Sequence, residues 1–290
     1  MMTYSPDRHT IAPQHQDRSP GSERALKPAA EHIRPDYKGS GKLKGKRALV
    51  TGGDSGIGRA AALHFAREGA DVAILYLPVE QEDADDAVRL IEAEGVRALA
   101  IAGDIAERAV CDAAIEQVVA TFGGIDILVN NAAHMQGEED FTDTTDESWL
   151  RHFNVNVHGA FYLTRAALKH MSAGASIIQT TSVNAFAGAR VVTAYSATKA
   201  ALAGFTRALA LQVAEQGIRV NEVAPGPIWT PIQPQGWPAE QVPHLGDNTA
   251  MGRMGHPSEL GAAYVYLASD DSSYVTGQTL HVNGGMIVNG

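Results

Sequence analysis

Short apolar segments alternate with helical patterns from residue 46 onward, and this alternation restricts the fold more than any other feature of the chain. Strands this short and apolar, each bounded by helices, are typical of a parallel sheet covered on both faces. The predicted strands are 47–51, 71–77, 97–102, 125–130, 176–181, 219–223 and 278–282. The first predicted helix follows the glycine-rich turn and ends at 68. The other predicted helices are 80–94, 107–122, 149–171, the segment around Tyr195, and 257–268. The sequence therefore predicts one α/β domain over 45–290, with a doubly wound parallel sheet of about seven strands and helices on both faces.

Residues 1–44, which we call the arm, lack this alternation. Prolines are mixed with charged residues, no apolar run exceeds two residues, and Gly39-Ser-Gly41 ends the segment. Such a composition cannot build a core of its own. The arm is therefore predicted to be either a disordered tail or an extended segment that docks on a neighbouring subunit through Ile33, Tyr37 and Leu43.

The chain is acidic, with 33 Asp and Glu against 23 Lys and Arg and a net charge of −10. Neither nucleic acid nor an anionic membrane attracts an acidic surface, so we expect neither as a partner. No apolar run approaches the ~18 residues that span a bilayer, and the first residues lack the apolar core of a signal peptide. One cysteine, Cys111, allows no disulfide framework, so we expect a cytoplasmic protein. No metal is predicted, because ligand spacing is absent among the histidines at 134, 158, 170, 244, 256 and 281.

Tyr195 and Lys199 are four residues apart, so on a helix their side chains lie on one face, one turn from each other. An ammonium about 4 Å from a phenol would lower the phenol's pKa from roughly 10 towards neutral pH, where a general acid or base works best. Ser182, at the end of a predicted strand, would present its hydroxyl to the same substrate oxygen. The Tyr–Lys spacing also arises by chance on helix surfaces, so the pair alone does not establish catalysis.

Residues 51–58, Thr-Gly-Gly-Asp-Ser-Gly-Ile-Gly, lie between the first predicted strand and the first predicted helix, and we call them the glycine loop. Glycines at such a turn let backbone N–H groups approach a pyrophosphate at the helix N-terminus, where the helix dipole attracts anions. Any tight strand-to-helix turn also favours glycine. The position in a βαβ unit nevertheless favours dinucleotide binding.

Further motifs follow the glycine loop in order: Asp104-Ile105, Asn130-Asn-Ala-Ala133, Asn156, Ser182, Tyr195-x-x-x-Lys199 and Pro225-Gly226. Together they resemble the short-chain dehydrogenase/reductases over about residues 45–290. The glycine loop and the stretch 225–231 are similar to a bacterial subgroup of general-stress or aldehyde-reductase-type oxidoreductases that carry an N-terminal arm. The resemblance implies a Rossmann-type fold and NAD(P)-dependent hydride transfer to or from a carbonyl or alcohol substrate, such as a small aldehyde, ketone or sugar.

The resemblance implies a role for each catalytic position. Tyr195 would donate a proton to a carbonyl or accept one from an alcohol, and Lys199 would lower the pKa of Tyr195 and bind the nicotinamide ribose. Ser182 would orient and polarise the substrate oxygen, and Asn156 would hold a water in a proton relay. A mid-helix Asn costs roughly a few tenths of a kcal/mol relative to Ala, which agrees with such a role. A buried hydrogen bond to neighbouring backbone is the alternative for Asn156.

The resemblance also implies the cofactor contacts. Asp104 would accept from the adenine amino group, and Asn130 would lie beside the adenine ribose unless it only bonds its own turn backbone. Ile228 and Thr230 would meet the nicotinamide carboxamide. The full predicted cofactor set is Gly52, Asp54, Ser55, Gly56, Ile57, Gly58, Tyr76, Asp104, Ile105, Asn131, Ala132, Ala133, Tyr195, Lys199, Pro225, Gly226, Ile228 and Thr230.

The sequence says less about the choice between NAD and NADP. An acid at the end of the second strand would bind the ribose diol and select NAD, but Tyr76 stands there. Ser55 and Leu77, where a basic residue would favour NADP, are neutral. Five of the seven residues 80–86 are acidic, which disfavours a 2′-phosphate. We therefore expect NAD or NADP, with a slight preference for NAD.

Residues 227–254 correspond to the family's substrate lid, which excludes water from the site of hydride transfer. Trp229 and Trp237 indicate an apolar or mixed pocket, or else they pack the lid down or contact another subunit. The helices at 149–171 and around Tyr195 correspond to the family's homotetramer interface, although their small residues also suit packing on the sheet. Two other functions remain open: a dinucleotide-binding sensor or scaffold without turnover, and a nicotinamide-dependent dehydratase or epimerase.

Overall fold

The computed structural model describes residues 11–286, so residues 1–10 of the predicted arm and 287–290 of the predicted domain lie outside the described residues. Within that range one parallel sheet has the strand order β3-β2-β1-β4-β5-β6-β7. The strands are β1 (Arg47–Thr51), β2 (Asp71–Tyr76), β3 (Ala98–Ala102), β4 (Ile127–Asn130), β5 (Ser176–Thr180), β6 (Arg219–Pro225) and β7 (Thr279–Val282). The predicted doubly wound parallel sheet is confirmed.

Helices cover both faces of the sheet. They are α1 (Gly56–Arg67), α2 (Gln81–Glu92), α3 (Arg108–Phe122), α4 (Asp146–Phe153), α5 (Ala160–Ala167), α6 (Asn184–Ala187), α7 (Thr193–Val213), α8 (Ile232–Gly236) and α9 (Ser258–Ala268). One apolar cluster joins the sheet to α1, α2 and α9, and a second joins it to α3, α5 and α7. Successive strand residues alternate between the clusters, as Ala48 and Leu49 do, because side chains of a strand point to opposite faces. Across residues 11–286, no helix combines the length and the apolarity that crossing a membrane requires.

The centre of the sheet fixes where a ligand can bind. From β1 the chain proceeds to β2 and β3 on one side, and from β4 it proceeds to β5, β6 and β7 on the other. Leu49 pairs with Leu128 where these two halves meet. The loops that follow β1 and β4 therefore leave the sheet in opposite directions and open a crevice at its carboxyl edge.

The helical segment predicted at 149–171 differs in detail from the structure. It begins earlier, at Asp146, because the Thr145 hydroxyl accepts a hydrogen bond from the Ser148 N–H at 3.1 Å and caps the helix. The π-helical segment Asn154–Gly159 lies between α4 and α5. A π-helical turn changes the direction of the following side chains and occurs frequently at functional sites.

The described part of the arm, residues 11–44, lies on its own domain. Leu43 is fully buried in the cluster beneath α1, and Ile33 packs on the same cluster. The Tyr37 hydroxyl donates to Glu68 at the end of α1, at 2.6 Å. The three anchors proposed for a neighbouring subunit thus contact their own chain, an arrangement that was not predicted from the sequence.

Glu68 is the main polar attachment of the arm, and its titration gives a testable prediction. The carboxylate accepts from the Tyr37 hydroxyl and from the backbone N–H groups of Ser40 and Lys42, at 2.6, 2.9 and 3.0 Å. Burial alone would raise the pKa of Glu68, but these hydrogen bonds lower it below its usual value. We expect Glu68→Gln to reduce the free energy of unfolding at pH 7 by about 1–3 kcal/mol.

The sign of the pH dependence follows from the lowered pKa. The folded chain holds the proton of Glu68 less tightly than the unfolded chain, so the stabilisation is complete above the unfolded pKa and is lost as pH falls through the folded pKa. Urea unfolding at pH 7 and in mild acid measures the difference between wild type and Glu68→Gln, which should shrink in acid. Glu92→Gln, at an exposed position, is the control. Equal losses in the two variants at pH 7 would contradict the prediction.

Candidate active site

A cavity of about 320 Å³ opens at the carboxyl edge of the sheet, in the crevice between β1 and β4. Its walls come from the glycine loop, from the segments that follow β2, β3, β4, β5 and β6, from the lid and from the arm. Its size is within the range of small-molecule and cofactor sites, and its place in the sheet is where α/β proteins bind nucleotides.

The glycine loop forms one end of the cavity. The Gly52 N–H donates to Leu75 at 2.7 Å, and the Asn131 side-chain amide donates to the Thr51 carbonyl at 2.9 Å, so both neighbouring strands fix the loop. Gly52 has a φ of +62°, a conformation that favours glycine. Every residue of the predicted cofactor set lines the cavity except Gly58. A β-carbon at Gly58 would lie 2.0 Å from the Gly52 carbonyl oxygen, so this glycine permits close packing instead.

The predicted catalytic side chains occupy the other end. Tyr195 and Lys199 lie on α7, Ser182 follows β5, and all three line the cavity. The Lys199 ammonium is buried, donates to the Thr180 carbonyl at 2.7 Å and lies 5.4 Å from the centroid of the Tyr195 ring. The structure therefore brings together a phenol, an ammonium and a hydroxyl beside the space that a substrate would occupy.

The proton affinities differ from the sequence expectation. Burial raises the pKa of Tyr195 to about 12, although the neighbouring Ser182 hydroxyl lowers it. Burial also lowers the pKa of Lys199 to about 7, against the opposing effect of the buried Glu222 carboxylate. The expectation that Lys199 brings the Tyr195 phenol close to neutral pH does not hold for the chain alone, because desolvation outweighs the influence of an ammonium that is itself easily deprotonated.

Asn156 lies in the π-helical segment and does not line the cavity. Its side-chain oxygen accepts from the His134 N–H at 2.7 Å, and its amide group donates to the His134 carbonyl and the Thr198 hydroxyl at 3.0 and 2.9 Å. Both N–H bonds of the Asn156 amide therefore donate to groups of the protein itself. This geometry matches the alternative of buried backbone hydrogen bonds, and the water-holding role stays a prediction.

Two adenine-side residues have partners that were not expected. The Asp104 carboxylate lines the cavity, but it accepts from Arg151 at 2.7 Å and from the Ala106 N–H at 2.9 Å. The Asn130 side chain points away from the cavity and donates to the Thr164 hydroxyl on α5 at 3.0 Å. Asn130 is the last residue of β4 and does not line the cavity, so its position beside a ribose stays a prediction.

Asp54, in the glycine loop, provides the test of whether a dinucleotide fits. Asp54 is fully buried and lines the cavity, yet within residues 11–286 neither carboxylate oxygen has a hydrogen-bond partner. The Ser55 hydroxyl and the Asp54 backbone N–H are near enough to lower the pKa of the carboxyl but lie outside hydrogen-bond geometry. A buried, unpaired acceptor costs free energy unless a ligand donates to it, and ribose hydroxyls are suitable donors. The residues present therefore fit a nicotinamide dinucleotide.

Several cavity residues were not predicted from the sequence: Ser19, Pro20, Gly21, Leu75, Leu77, Glu80, Gly103, His134, Arg151, Val155, Thr180, Thr181, Pro231, Ile232, Gln233 and Gln235. His134 follows the predicted Asn-Asn-Ala-Ala motif directly, so its position was a usable signal. Arg151 and the arm residues reach the cavity only through tertiary packing, which no local pattern reports.

The lid contains α8 and a short 3₁₀-helix, Ala239–His244. Trp229 is buried but does not line the cavity; it packs with Val242, Met254 and the arm residues Ile11 and Leu26. Of the sequence interpretations, packing the lid down is the one that fits Trp229.

Lys199 gives a prediction about stability and pH. Because its folded pKa of about 7 is below its unfolded value, the unfolded chain binds more protons between pH 7 and 10. The free energy of unfolding should therefore rise with pH in this window by up to about 1.4 kcal/mol per unit. Lys199→Met should remove that rise, whereas Lys169→Met, at an exposed position, should keep it. Chemical denaturation at pH 7 and 9 measures this, and parallel profiles for wild type and Lys199→Met would refute it.

Comparison with known proteins agrees with this geometry. A family model described as enoyl-(acyl carrier protein) reductase matches residues 52–287. General stress protein 39 of Bacillus subtilis (strain 168) is 50% identical over 275 residues, which cover 95% of this chain and 96% of that protein. Glucose and ribitol dehydrogenase of Daucus carota is 47% identical over 283 residues, which cover 96% of this chain and 97% of that protein.

A solved structure extends the comparison to the fold. A short-chain dehydrogenase from Burkholderia cenocepacia J2315, in complex with NADP, has a TM-score of 0.80 and 36% sequence identity, and it covers 84% of this chain and 98% of its own. The family expected from the motifs is thus confirmed. The chain belongs to the short-chain dehydrogenase/reductase family of NAD(P)-dependent oxidoreductases and is similar, over nearly its whole length, to Bacillus general stress protein 39.

Proposed function

We propose that this chain reduces the carbonyl group of a small aldehyde, ketone or sugar, and oxidises the corresponding alcohol, with Tyr195 as the general acid and base. The observation that carries the proposal is one cavity with Tyr195, Ser182 and Lys199 at one end and the glycine loop at the other. A bound nicotinamide dinucleotide would supply or accept the hydride. The chain's own residues supply orientation and the proton.

Each catalytic side chain has a task that its environment supports. The Tyr195 phenol, kept protonated by burial, is suited to donate to a carbonyl oxygen that gains negative charge. The Ser182 hydroxyl lies beside the phenol and would hydrogen-bond the same oxygen. Thr180 anchors Lys199 next to the phenol, and the protonated form of Lys199 would stabilise the phenolate once the proton has left.

The substrate end of the cavity combines apolar and hydrogen-bonding groups. Ile232, Gln233, Gln235 and His134 all line the cavity. The Gln235 amide donates to the Met135 carbonyl at 3.1 Å, which leaves its oxygen as an acceptor for substrate. Amide and imidazole groups suit a carbonyl compound that also carries hydroxyl groups, and the name of the carrot relative, a glucose and ribitol dehydrogenase, agrees with a sugar or polyol.

We further propose NAD as the preferred cofactor, although the Burkholderia relative was solved with NADP. Burial raises the pKa of Asp54 to about 6, and burial together with the Asp54 charge raises that of Glu80 to about 8. Such a pair can accept from and donate to the two hydroxyls of an adenosine ribose. Its negative charge opposes a 2′-phosphate. Arg59 and Arg18 offset part of that charge, and the neutral Ser55 and Leu77 add no further cation.

We also propose a homotetramer in the cytoplasm. Large apolar side chains are exposed on the three helices that correspond to the family's subunit interface: Leu150 on α4, Phe161 on α5 and Leu211 on α7, with Leu211 84% exposed. Exposed apolar surface of this kind supports association between copies of the chain. The cytoplasm remains a prediction from the single cysteine, Cys111, which is a buried free thiol.

Tyr195→Phe tests the proposed chemistry. The variant keeps the ring but removes the transferable proton, so kcat should fall by about 10²–10⁴-fold while the Kd for NADH changes by less than about twofold. Oxidation of NADH or NADPH with a panel of small aldehydes, ketones and sugars measures this. Tyr266→Phe, on the exposed face of α9, is the control. Undiminished activity in Tyr195→Phe would refute the role of Tyr195, and cofactor binding without turnover by wild type would favour the sensor alternative.

Asp54→Asn tests the cofactor preference. Wild type should bind NADH at least about tenfold more tightly than NADPH, and the variant should lose about tenfold in NADH affinity because it loses a charged acceptor for the ribose hydroxyls. NADPH affinity should stay the same or improve. Fluorescence titration gives the four Kd values, for NADH and NADPH with wild type and with Asp54→Asn. Asp85→Asn, at an exposed acid on the same side of the molecule, is the control. Tighter NADPH than NADH binding by wild type would overturn the preference.

A further inference from the structure

We propose that the arm is a working part of the cofactor site: Glu23 is a positioning residue that fixes the glycine loop, and residues 19–21 form an outer wall of the cavity. This inference rests on the proposed function, since it concerns the binding of the same dinucleotide.

Glu23 contacts the glycine loop at Gly56, where the loop passes into α1. The residue is 5% exposed, and its carboxylate accepts from the Gly56 N–H at 2.8 Å. Gly56 is the first residue of α1, and Ser55 before it makes no side-chain capping bond. The first N–H groups of a helix have no partner within the helix. Glu23 therefore caps α1 from a distance of 33 residues along the chain.

The cap is itself held in place. The Glu23 backbone N–H donates to the Asp83 carboxylate on α2 at 3.0 Å, and the Glu23 carboxylate lies 3.3 Å from the His32 ring. Burial would raise the pKa of Glu23, but His32, the Gly56 N–H and Arg59 together lower it, so the group stays ionised at neutral pH. Its charge is thus compensated locally. The remaining effect on the cofactor is geometric: the cap holds the start of α1 in one position.

The neighbouring arm residues border the cavity directly. Ser19, Pro20 and Gly21 line it beside the glycine loop. Gly21 also touches the lid, since a β-carbon there would lie 2.7 Å from the Pro231 carbonyl oxygen. The arm therefore fills the space between the glycine loop and the lid. A dinucleotide in the cavity would have arm residues as part of its wall.

The arm also fixes the lid. The Trp229 indole N–H donates to the Pro28 carbonyl at 2.8 Å, and the Gln16 N–H donates to the Pro234 carbonyl at 3.0 Å. Ile11 and Leu26 are buried against the same tryptophan. Because one segment holds both the cofactor loop and the lid, loosening it should weaken cofactor binding through lost preorganisation.

Glu23→Ala and Glu23→Gln in the full-length protein test the inference. Glu23→Ala should raise the Kd for NADH at least about tenfold, because the Gly56 N–H loses its acceptor and the loop its fixed position. Glu23→Gln keeps an acceptor oxygen and should stay within about threefold of wild type. Glu31→Ala removes a different arm acid, one that bonds Ser258 at the start of α9, and should leave the Kd unchanged. Fluorescence titration measures the Kd, and urea unfolding of each variant measures stability.

The outcomes separate the two proposals. Loss of affinity in Glu23→Ala with rescue in Glu23→Gln supports positioning, because a merely structural role would lower stability in Glu23→Ala and Glu31→Ala without that pattern in the Kd. Unchanged affinity in Glu23→Ala, or an equal loss in Glu31→Ala, would overturn it while leaving the proposed function intact. If Glu23→Ala fails to fold, Trp229→Phe, which removes the bond to Pro28 and part of the packing against the arm, should raise the Kd about threefold, and an unchanged Kd would overturn the inference. Failure of wild type to bind either cofactor would refute the proposed function and the inference with it.

Discussion

The close contact between Gly58 and Gly52 is the constraint on which the site depends. A β-carbon at Gly58 would lie 2.0 Å from the Gly52 carbonyl oxygen, so α1 can start directly after β1 only when this position is glycine. That packing brings the N-terminus of α1 to the crevice at the centre of the sheet, where its unpaired N–H groups and dipole favour an anion. Three features lie at this turn: the cap from Glu23, the hydrogen bond from the Asn131 amide to the Thr51 carbonyl, and the buried Asp54.

The ionisable groups of the cavity show what a bound ligand must supply. Lys199, Asp54 and Glu80 have pKa values shifted towards their neutral forms by burial, and the pKa of Tyr195 is raised in the same way. A protein that buries unpaired polar groups loses stability by doing so. The hydroxyl donors of a dinucleotide would give partners to the Asp54 carboxylate. Burial is therefore the main cause of the low proton affinity of Lys199.

The fold and most of the site could be predicted because their signals are local. Strand β1 was predicted with its observed bounds, and the glycine loop, Ser182, Tyr195 and Lys199 fall in loops or on helix faces that short-range spacing defines. Contacts between residues that are far apart in the sequence were not predicted. Asp104 looked free for adenine, but Arg151 approaches it from 47 residues away. For Trp229 the sequence left open a pocket, packing of the lid and a subunit contact. Its partner Pro28 is 201 residues distant, and no periodicity indicates a contact between an irregular arm and a lid.

The arm also explains how a shared catalytic domain can be modified without changing its chemistry. The Burkholderia structure aligns with nearly all of its own length but leaves part of this chain unmatched, and that remainder is about the size of the arm. The Bacillus relative aligns over nearly the whole chain, the greater part of the arm included. A segment too polar to build a core can still bury Leu26 and Ile11 on the lid and Glu23 on the glycine loop, because the domain supplies the apolar surface and the unpaired N–H group. Under the two proposals, such an addition would act on cofactor affinity through the rigidity of the glycine loop and the lid. The reaction itself would be set by Tyr195 and its neighbours.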